Sequence, residues 1–290
     1  MYAKKYILLI VFLLLFSSCS STNSQVININ KIEFKEPEKL SGTNCKSLDF
    51  KNYENNDIWK NVKHQLKHNN GYKDHGCTIV NNSDNFPVRS GELSLRFETK
   101  DGDCNSNQGW DDCTTDRSRH ELTEWIDKEI NNGDEIFYAY SIFFNNPLYT
   151  KNTATFLGQI NTDNSARFYI RAFDKGLGYM FNDKDYEVLE SDVFLKWEEA
   201  TNTWIDIGLH IKFSTSDDGF IKLYINNQLI KQLDGKNFDG VTSVHLDFGI
   251  YNAFVSRCDC EEYPTKVVYF DEIFKSDNEN EFKAFIGNRK

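Results

Sequence analysis

Trp204-Ile-Asp-Ile-Gly-Leu-His-Ile-Lys-Phe213 decides the fold class. Ile205, Ile207, Leu209, Ile211 and Phe213 alternate with Trp204, Asp206, Gly208, His210 and Lys212. Successive side chains of an extended chain point to opposite faces, so the stretch reads as a strand with one buried and one polar face. The same period recurs outward from it. Ile221, Leu223 and Ile225 alternate with Lys222 and Tyr224, and Asn226-Asn227 offers a hairpin turn before Gln228-Leu229-Ile230. Val244, Leu246, Phe248 and Ile250 alternate with His245, Asp247, Gly249 and Tyr251, as do Leu93, Leu95 and Phe97 with Ser94, Arg96 and Glu98. Period two dominates from about residue 78 to 275, with no internal repeat. This predicts an all-β protein, a sandwich or jelly roll. Ile58, Trp59, Val62 and Leu66 fall instead at helical spacing and predict one short amphipathic N-terminal helix.

The 290 residues carry 44 acidic and 33 basic side chains, a net charge of −11. Hydrophobic residues at 39% and aromatics at 14% exclude a disordered chain. The acidic balance argues against a nucleic-acid partner, whose binding rests on neutralising phosphates. Lys4 and Lys5 precede the apolar run Tyr6–Phe16, then Ser17, Ser18 and Cys19. This is a basic region, a short apolar region and a small-residue cleavage site. Cys19 is placed as in a lipobox, although Phe16 stands where such boxes prefer Leu. An ordinary secretory signal is the plainer reading. The division expected is a lipoprotein signal peptide over 1–18, a polar tether over 19–56 and a jelly-roll domain over 57–290. Ser20 is not an inner-membrane retention acid, so an outer-membrane lipid anchor is expected, with a monomeric protein.

Of the seven cysteines, six remain after Cys19: Cys45, Cys77, Cys104, Cys113, Cys258 and Cys260. An even count in an exported protein reads as disulfides, with Cys104–Cys113 as a local loop. Cys258-Asp-Cys260 is too tight for a metal pair, and no metal site is assigned to the cysteines. Asp101, Asp103, Asn105 and Asn107, with Asp112 beyond, have the oxygen-ligand rhythm of a calcium loop but lack its Gly at position six. A plain acidic loop is the reading preferred, with no cofactor and calcium as the alternative.

The polar strand faces are where chemistry belongs. Arg117, Arg119, Glu121 and Thr123 share one face, Gln159 and Asn161 a second, Arg167, Tyr169 and Arg171 a third, and His245, Asp247 and Tyr251 a fourth. On alternation alone, solvated outward faces are the plainer reading. If the four strands line one sheet, they make a groove of guanidinium, amide and phenol groups suited to an acidic sugar chain.

Several motifs in order carry a resemblance: Phe86-Pro-Val-Arg-Ser-Gly-Glu-Leu-Ser-Leu-Arg-Phe-Glu98, Arg119-His-Glu-Leu122, Gly158-Gln-Ile160, Trp204–Phe213 leading to Asp218-Gly219, Ile225-Asn226-Asn227, Phe248-Gly-Ile-Tyr251 and Val267-Val-Tyr-Phe-Asp271. Over roughly residues 79–275 the chain resembles the jelly-roll (concanavalin A-like) polysaccharide lyases of the heparin lyase I and glucuronan lyase type. It is similar in pattern to alginate lyases of the same fold. The resemblance implies β-elimination at a uronic acid, which needs the C5 carboxylate neutralised, a base for the α-proton and an acid for the leaving O4. By motif, Arg119, Gln159 and Asn161 would neutralise the carboxylate, and Tyr251 would be proton donor and base. Glu121 would hold Arg119; on the strand-face reading, Arg117, Arg167, Tyr169 and Arg171, with Glu121, would bind the chain. A phenol near its ordinary pKa is a poor base, so a nearby Arg must stabilise its phenolate.

Two departures matter. Asn161 stands where the family often has His, and Asp247 where alginate lyases of this shape carry Lys. His245, on Tyr251's face, is the candidate replacement base. His120 alternates away from Arg119, and His210 reads as structural. Glu124, Asp127 and Glu129 are spaced three then two, which splits them across faces and weakens a hydrolase reading. The alternative to a lyase is a non-catalytic carbohydrate-binding lipoprotein of the same fold.

Overall fold

The computed structural model describes residues 34–37, 42–45, 58–60, 66–68, 73–107, 110–124, 130–162, 165–240 and 244–289. Its strands are β1 (Thr43–Asn44), β2 (Trp59–Lys60), β3 (Leu66–His68), β4 (Cys77–Asn81), β5 (Leu93–Thr99), β6 (Ser106–Asn107), β7 (Trp110–Asp111), β8 (Arg117–Glu124), β9 (Glu135–Phe143), β10 (Ala154–Thr162), β11 (Ala166–Phe173), β12 (Gly176–Asn182), β13 (Val188–Lys196), β14 (Ile205–Lys212), β15 (Phe220–Ile225), β16 (Gln228–Asp234), β17 (Val244–Ala253) and β18 (Lys266–Ser276). Its α-helices are α1 (Trp197–Ala200) and α2 (Glu279–Gly287).

One sheet runs β1-β4-β5-β18-β9-β14-β15-β16, with β2 also on β18, and the other runs β13-β12-β11-β10-β17-β8-β3. Strands distant in sequence lie side by side: β17 sits between β10 and β8, and β18 between β5 and β9. This is the two-sheet sandwich that the alternation predicts, in the jelly-roll form that the resemblance implies. The apolar row of β14 (Ile205, Ile207, Leu209, Ile211) and that of β17 (Val244, Leu246, Phe248, Ile250) come from opposite sheets and share one core. Phe248 crosses between the sheets to meet Phe97 and Phe270, at centroid distances of 6.4 and 5.8 Å. Each fully buried ring of this kind contributes about 1.5–3 kcal/mol. Lys266 of β18 also bridges the sheets, donating to Thr155 Oγ1 of β10 at 2.6 Å and Asn252 Oδ1 of β17 at 3.1 Å.

The outer face of the first sheet is capped by α2. Asn278 starts the helix by accepting the N–H groups of Asn280 and Glu281. Phe282 and Ile286, one turn apart, pack on Phe137, Ala139 and Phe274. His210 belongs to this covered face, stacked on Phe137 at 4.2 Å and bonded to Glu135 Oε2 at 2.6 Å. It is structural there, as expected.

The N-terminal helix is replaced by strands. Residues 59–60 pair parallel to β18 and residues 66–68 antiparallel to β8. The physical reason is an open edge. Strand β5 leaves β18 at Leu95 opposite Phe270, and β2 takes the vacated edge opposite Ile273 and Phe274. A helix of two to three turns is marginal alone and loses to a ready-made ladder. The helix near a terminus is α2, at the other end of the chain.

Part of the expected tether also belongs to the fold. Phe34 meets Phe143 and Tyr269 edge-on, Thr43 and Asn44 pair with β4, and Cys45 is bonded to Cys77. Ring packing by Phe34, ion pairing and hydrogen bonding by Glu36, a short strand pair and a disulfide thus anchor a polar, aperiodic stretch. The signal peptide and Cys19 lie outside the described residues. Three disulfides form: Cys45–Cys77, the expected Cys104–Cys113, and Cys258–Cys260.

Candidate active site on the open sheet face

Strands β8, β17, β10 and β11 are consecutive in the second sheet, so the four polar rows meet on one face. Register sets the layers. Tyr251 lies opposite Arg119 on one side and Phe156 on the other; Asp247 lies opposite Gln159, and His245 opposite Asn161. Gly249 has φ +138°, and a Cβ there would overlap the backbone of His120 and Glu121. The glycine lets β17 close on β8 beside the tyrosine.

Tyr251 is the best-surrounded group. Its hydroxyl accepts from Arg117 Nε at 2.8 Å, and the Arg119 guanidinium lies 4.1 Å above its ring. Phe156 stacks on its other side at 5.5 Å, and Tyr169 stands 4.7 Å beyond. Burial pushes the Tyr251 phenol above its ordinary range, with Arg119 and then Arg117 pulling it back. The phenol is therefore protonated near neutrality.

Arg119 is itself tied down. Its Nε donates to both Asp112 carboxylate oxygens at 3.0 Å, and its Nη1 lies 3.6 Å from Glu121. Asp112 is fully buried, on the loop that the Cys104–Cys113 bond closes. Sequence reading placed Asp112 only beside the acidic calcium-type loop and missed the aromatic wall of Phe156 and Phe254 that packs with Tyr251; the fold-back of the disulfide loop reveals the first and strand order the second. Burial, then the Asp247 charge, pushes Glu121 up to about 8 against the pull of Arg119 and Gln159. Gln159 Nε2 donates to Glu121 at 2.7 Å, so Glu121 holds the amide as well as the guanidinium.

Farther along, Asn161 Nδ2 donates to Asp247 at 2.6 Å, and His245 Nε2 lies 3.7 Å from the same carboxylate. Histidine 245 is on Tyr251's face as expected, but six residues away, roughly 20 Å at the strand rise. The structure does not bring those two together. At the same end of the sheet, on β11, Arg167 pairs with Asp239. Arg171 packs on Phe173 at 4.9 Å and donates to Met180 Sδ at 3.3 Å. Among the described residues no carboxylate pairs with Arg117 or Arg171.

The calcium-loop residues point three ways. Asp101 accepts from Tyr263 N–H, Asp103 faces His75 and His120, and Asn105 donates to the Arg119 carbonyl. Glu124 faces inward to Tyr138 and Lys275, away from the open face. Asp127 and Glu129 lie outside the described residues.

A family model described as polysaccharide lyase matches residues 50–274. No curated protein matches the chain. Among solved structures, an endo-beta-1,4-glucuronan lyase from the fungus Trichoderma reesei superposes with a TM-score of 0.50. It is 13% identical, over 72% of this chain and 94% of that one. An alginate lyase from polysaccharide lyase family 7 is 17% identical over 63% and 77% of the two chains, TM-score 0.45. One from Corynebacterium sp. is 15% identical over 63% and 76%, TM-score 0.43. The glucuronan lyase likeness concerns the fold; the family match spans well over half of the chain, and on it this protein belongs to the polysaccharide lyases.

Proposed function

We propose that this lyase cleaves an acidic, uronate-containing polysaccharide by syn β-elimination at Tyr251. The carrying observation is the phenol held between two guanidiniums, Arg117 on its oxygen and Arg119 over its ring. Both cations stabilise the phenolate, which takes the proton from C5. The C4–O4 bond then breaks, and the same phenol returns the proton to O4, leaving a C4–C5 double bond. The acidity of C5 requires its carboxylate to be neutralised. Arg117, with no carboxylate partner among the described residues, supplies that charge beside the reacting oxygen. Arg119 and Gln159, oriented by Asp112 and Glu121, complete the set. Asn161 and His245, with Arg167 beside them in register, stand too far along the strands to serve the same sugar and would contact a neighbouring one, while Tyr169 and Arg171, level with Gln159 and Phe156, would hold the chain on the β11 side.

The test is ultraviolet absorbance of unsaturated uronate during incubation of the full chain with alginate, glucuronan, heparan-type, chondroitin-type and ulvan chains. A rise on one polymer that Tyr251→Phe abolishes supports the reading. Binding of a polymer without any rise would instead favour a carbohydrate-binding protein that has lost catalysis. We also propose export as an outer-membrane lipoprotein, supported by the Lys4-to-Cys19 pattern and by disulfides that suit an oxidising compartment. Labelled palmitate should enter the wild-type chain and not Cys19→Ala.

A further inference from the structure

Behind the open face, the loop that carries Asp112 makes a second cluster. His75 precedes β4, Asp103 begins the disulfide loop, and His120 is the inward neighbour of Arg119. Asp103 Oδ2 lies 2.8 Å from His75 Nε2 and 3.3 Å from His120 Nε2, and the three donor atoms all fall within 4.8 Å of one another. The two imidazole rings stand edge to face, 5.6 Å apart. Gly76 makes room for this, since a Cβ there would overlap the His120 ring.

We propose that His75, Asp103 and His120 bind a divalent transition ion of the zinc class. Two imidazole nitrogens and one carboxylate oxygen are a three-ligand set that zinc takes with water in the fourth place. Donors about 2.0 Å from a tetrahedral ion are about 3.3 Å apart. The His120–Asp103 spacing already fits, and a small turn of the partly exposed His75 ring adjusts the rest. His120 and Asp103 are buried and prearranged, while His75 gives the ion a way in. Asp103 Oδ2 also accepts the Lys100 N–H at 2.8 Å, an outer contact that orients the carboxylate. The donors come from three separated parts of the chain, so the ion would fasten the Lys100–Asp116 loop to β4 and β8. That loop holds Asp112 against Arg119.

The experiment is titration of metal-free full-length protein with Zn²⁺ alone by calorimetry, with the visible spectrum of a Co²⁺ complex as the second readout. Wild type should bind one equivalent, give a tetrahedral Co²⁺ spectrum and melt at a higher temperature with Zn²⁺ than with chelator. His75→Ala, at the partly exposed ligand, should keep the fold and lose affinity by more than about 100-fold, beyond the usual cost of an outer-contact change. Its melting temperature should no longer respond to Zn²⁺. Absence of one-equivalent binding by wild type would overturn the proposal. So would equal binding by His75→Ala and wild type, which would mark the cluster as a hydrogen-bonded network.

Discussion

The outward faces of the two sheets start from the same pattern and end differently. On the first sheet, Phe137, Ala139 and Phe274 lie beneath Phe282 and Ile286 of α2, and the one histidine there is locked between a ring and Glu135. On the second sheet no helix lies on Tyr251, Phe156, Tyr169 and Arg171 among the described residues, and aromatic rings and guanidiniums pack on one another instead. The first arrangement spends its outward row on stability. The second keeps two guanidiniums without carboxylate partners, which is costly for folding and useful for an anionic ligand. Polar alternation is thus necessary for such a site and does not identify it.

The comparison can be broken by substitutions on each face. Tyr251→Phe removes the proton carrier and keeps the stacked ring. Turnover should fall by about 10²–10⁴-fold with KM nearly unchanged, as measured by product absorbance. Phe282→Ala on the covered face should do the reverse. It should cost about 3–5 kcal/mol in denaturant unfolding and leave turnover per folded molecule intact. A fall in turnover there would mean that the two faces are coupled.

Arg117→Ala strips a charged hydrogen bond from the phenol oxygen, worth about 1.5–3 kcal/mol, so turnover should drop roughly ten- to hundredfold. Because burial holds the Tyr251 phenol above its ordinary value, the wild-type rate should climb steadily from pH 7 toward 10. A bell with its top near neutrality would show that another group is the base.

Beneath both faces, burial pulls Lys266 down to about 7. Its folded value lies below its unfolded one, so the penalty of burying the ammonium is complete below pH 7 and fades as pH rises toward the unfolded value. Stability should increase with pH across that window, by at most about 1.4 kcal/mol per pH unit, and Lys266→Met should flatten the slope.

Much was legible from residues alone. The alternation of Ile205–Phe213 and Val244–Tyr251 placed the strands and sorted each side chain to a face, because that sorting follows from backbone geometry within a few residues. The nine-residue spacing of Cys104 and Cys113 marked a loop for the same local reason. The motif order carried the family resemblance, and Tyr251, Arg119 and Arg117 do meet on one face. What lay beyond was decided by contacts between distant segments. His245 shares Tyr251's face but not its layer, since alternation specifies a side and not a distance. Asp112 meets Arg119, and His75 meets Asp103 and His120, because the disulfide loop folds back over β8. Residues 59–60 and 66–68 became strands because open edges were waiting on β18 and β8. Local periodicity is written in the chain, whereas partnership, cover and the choice of which face stays open depend on strand order, which only the assembled sandwich determines.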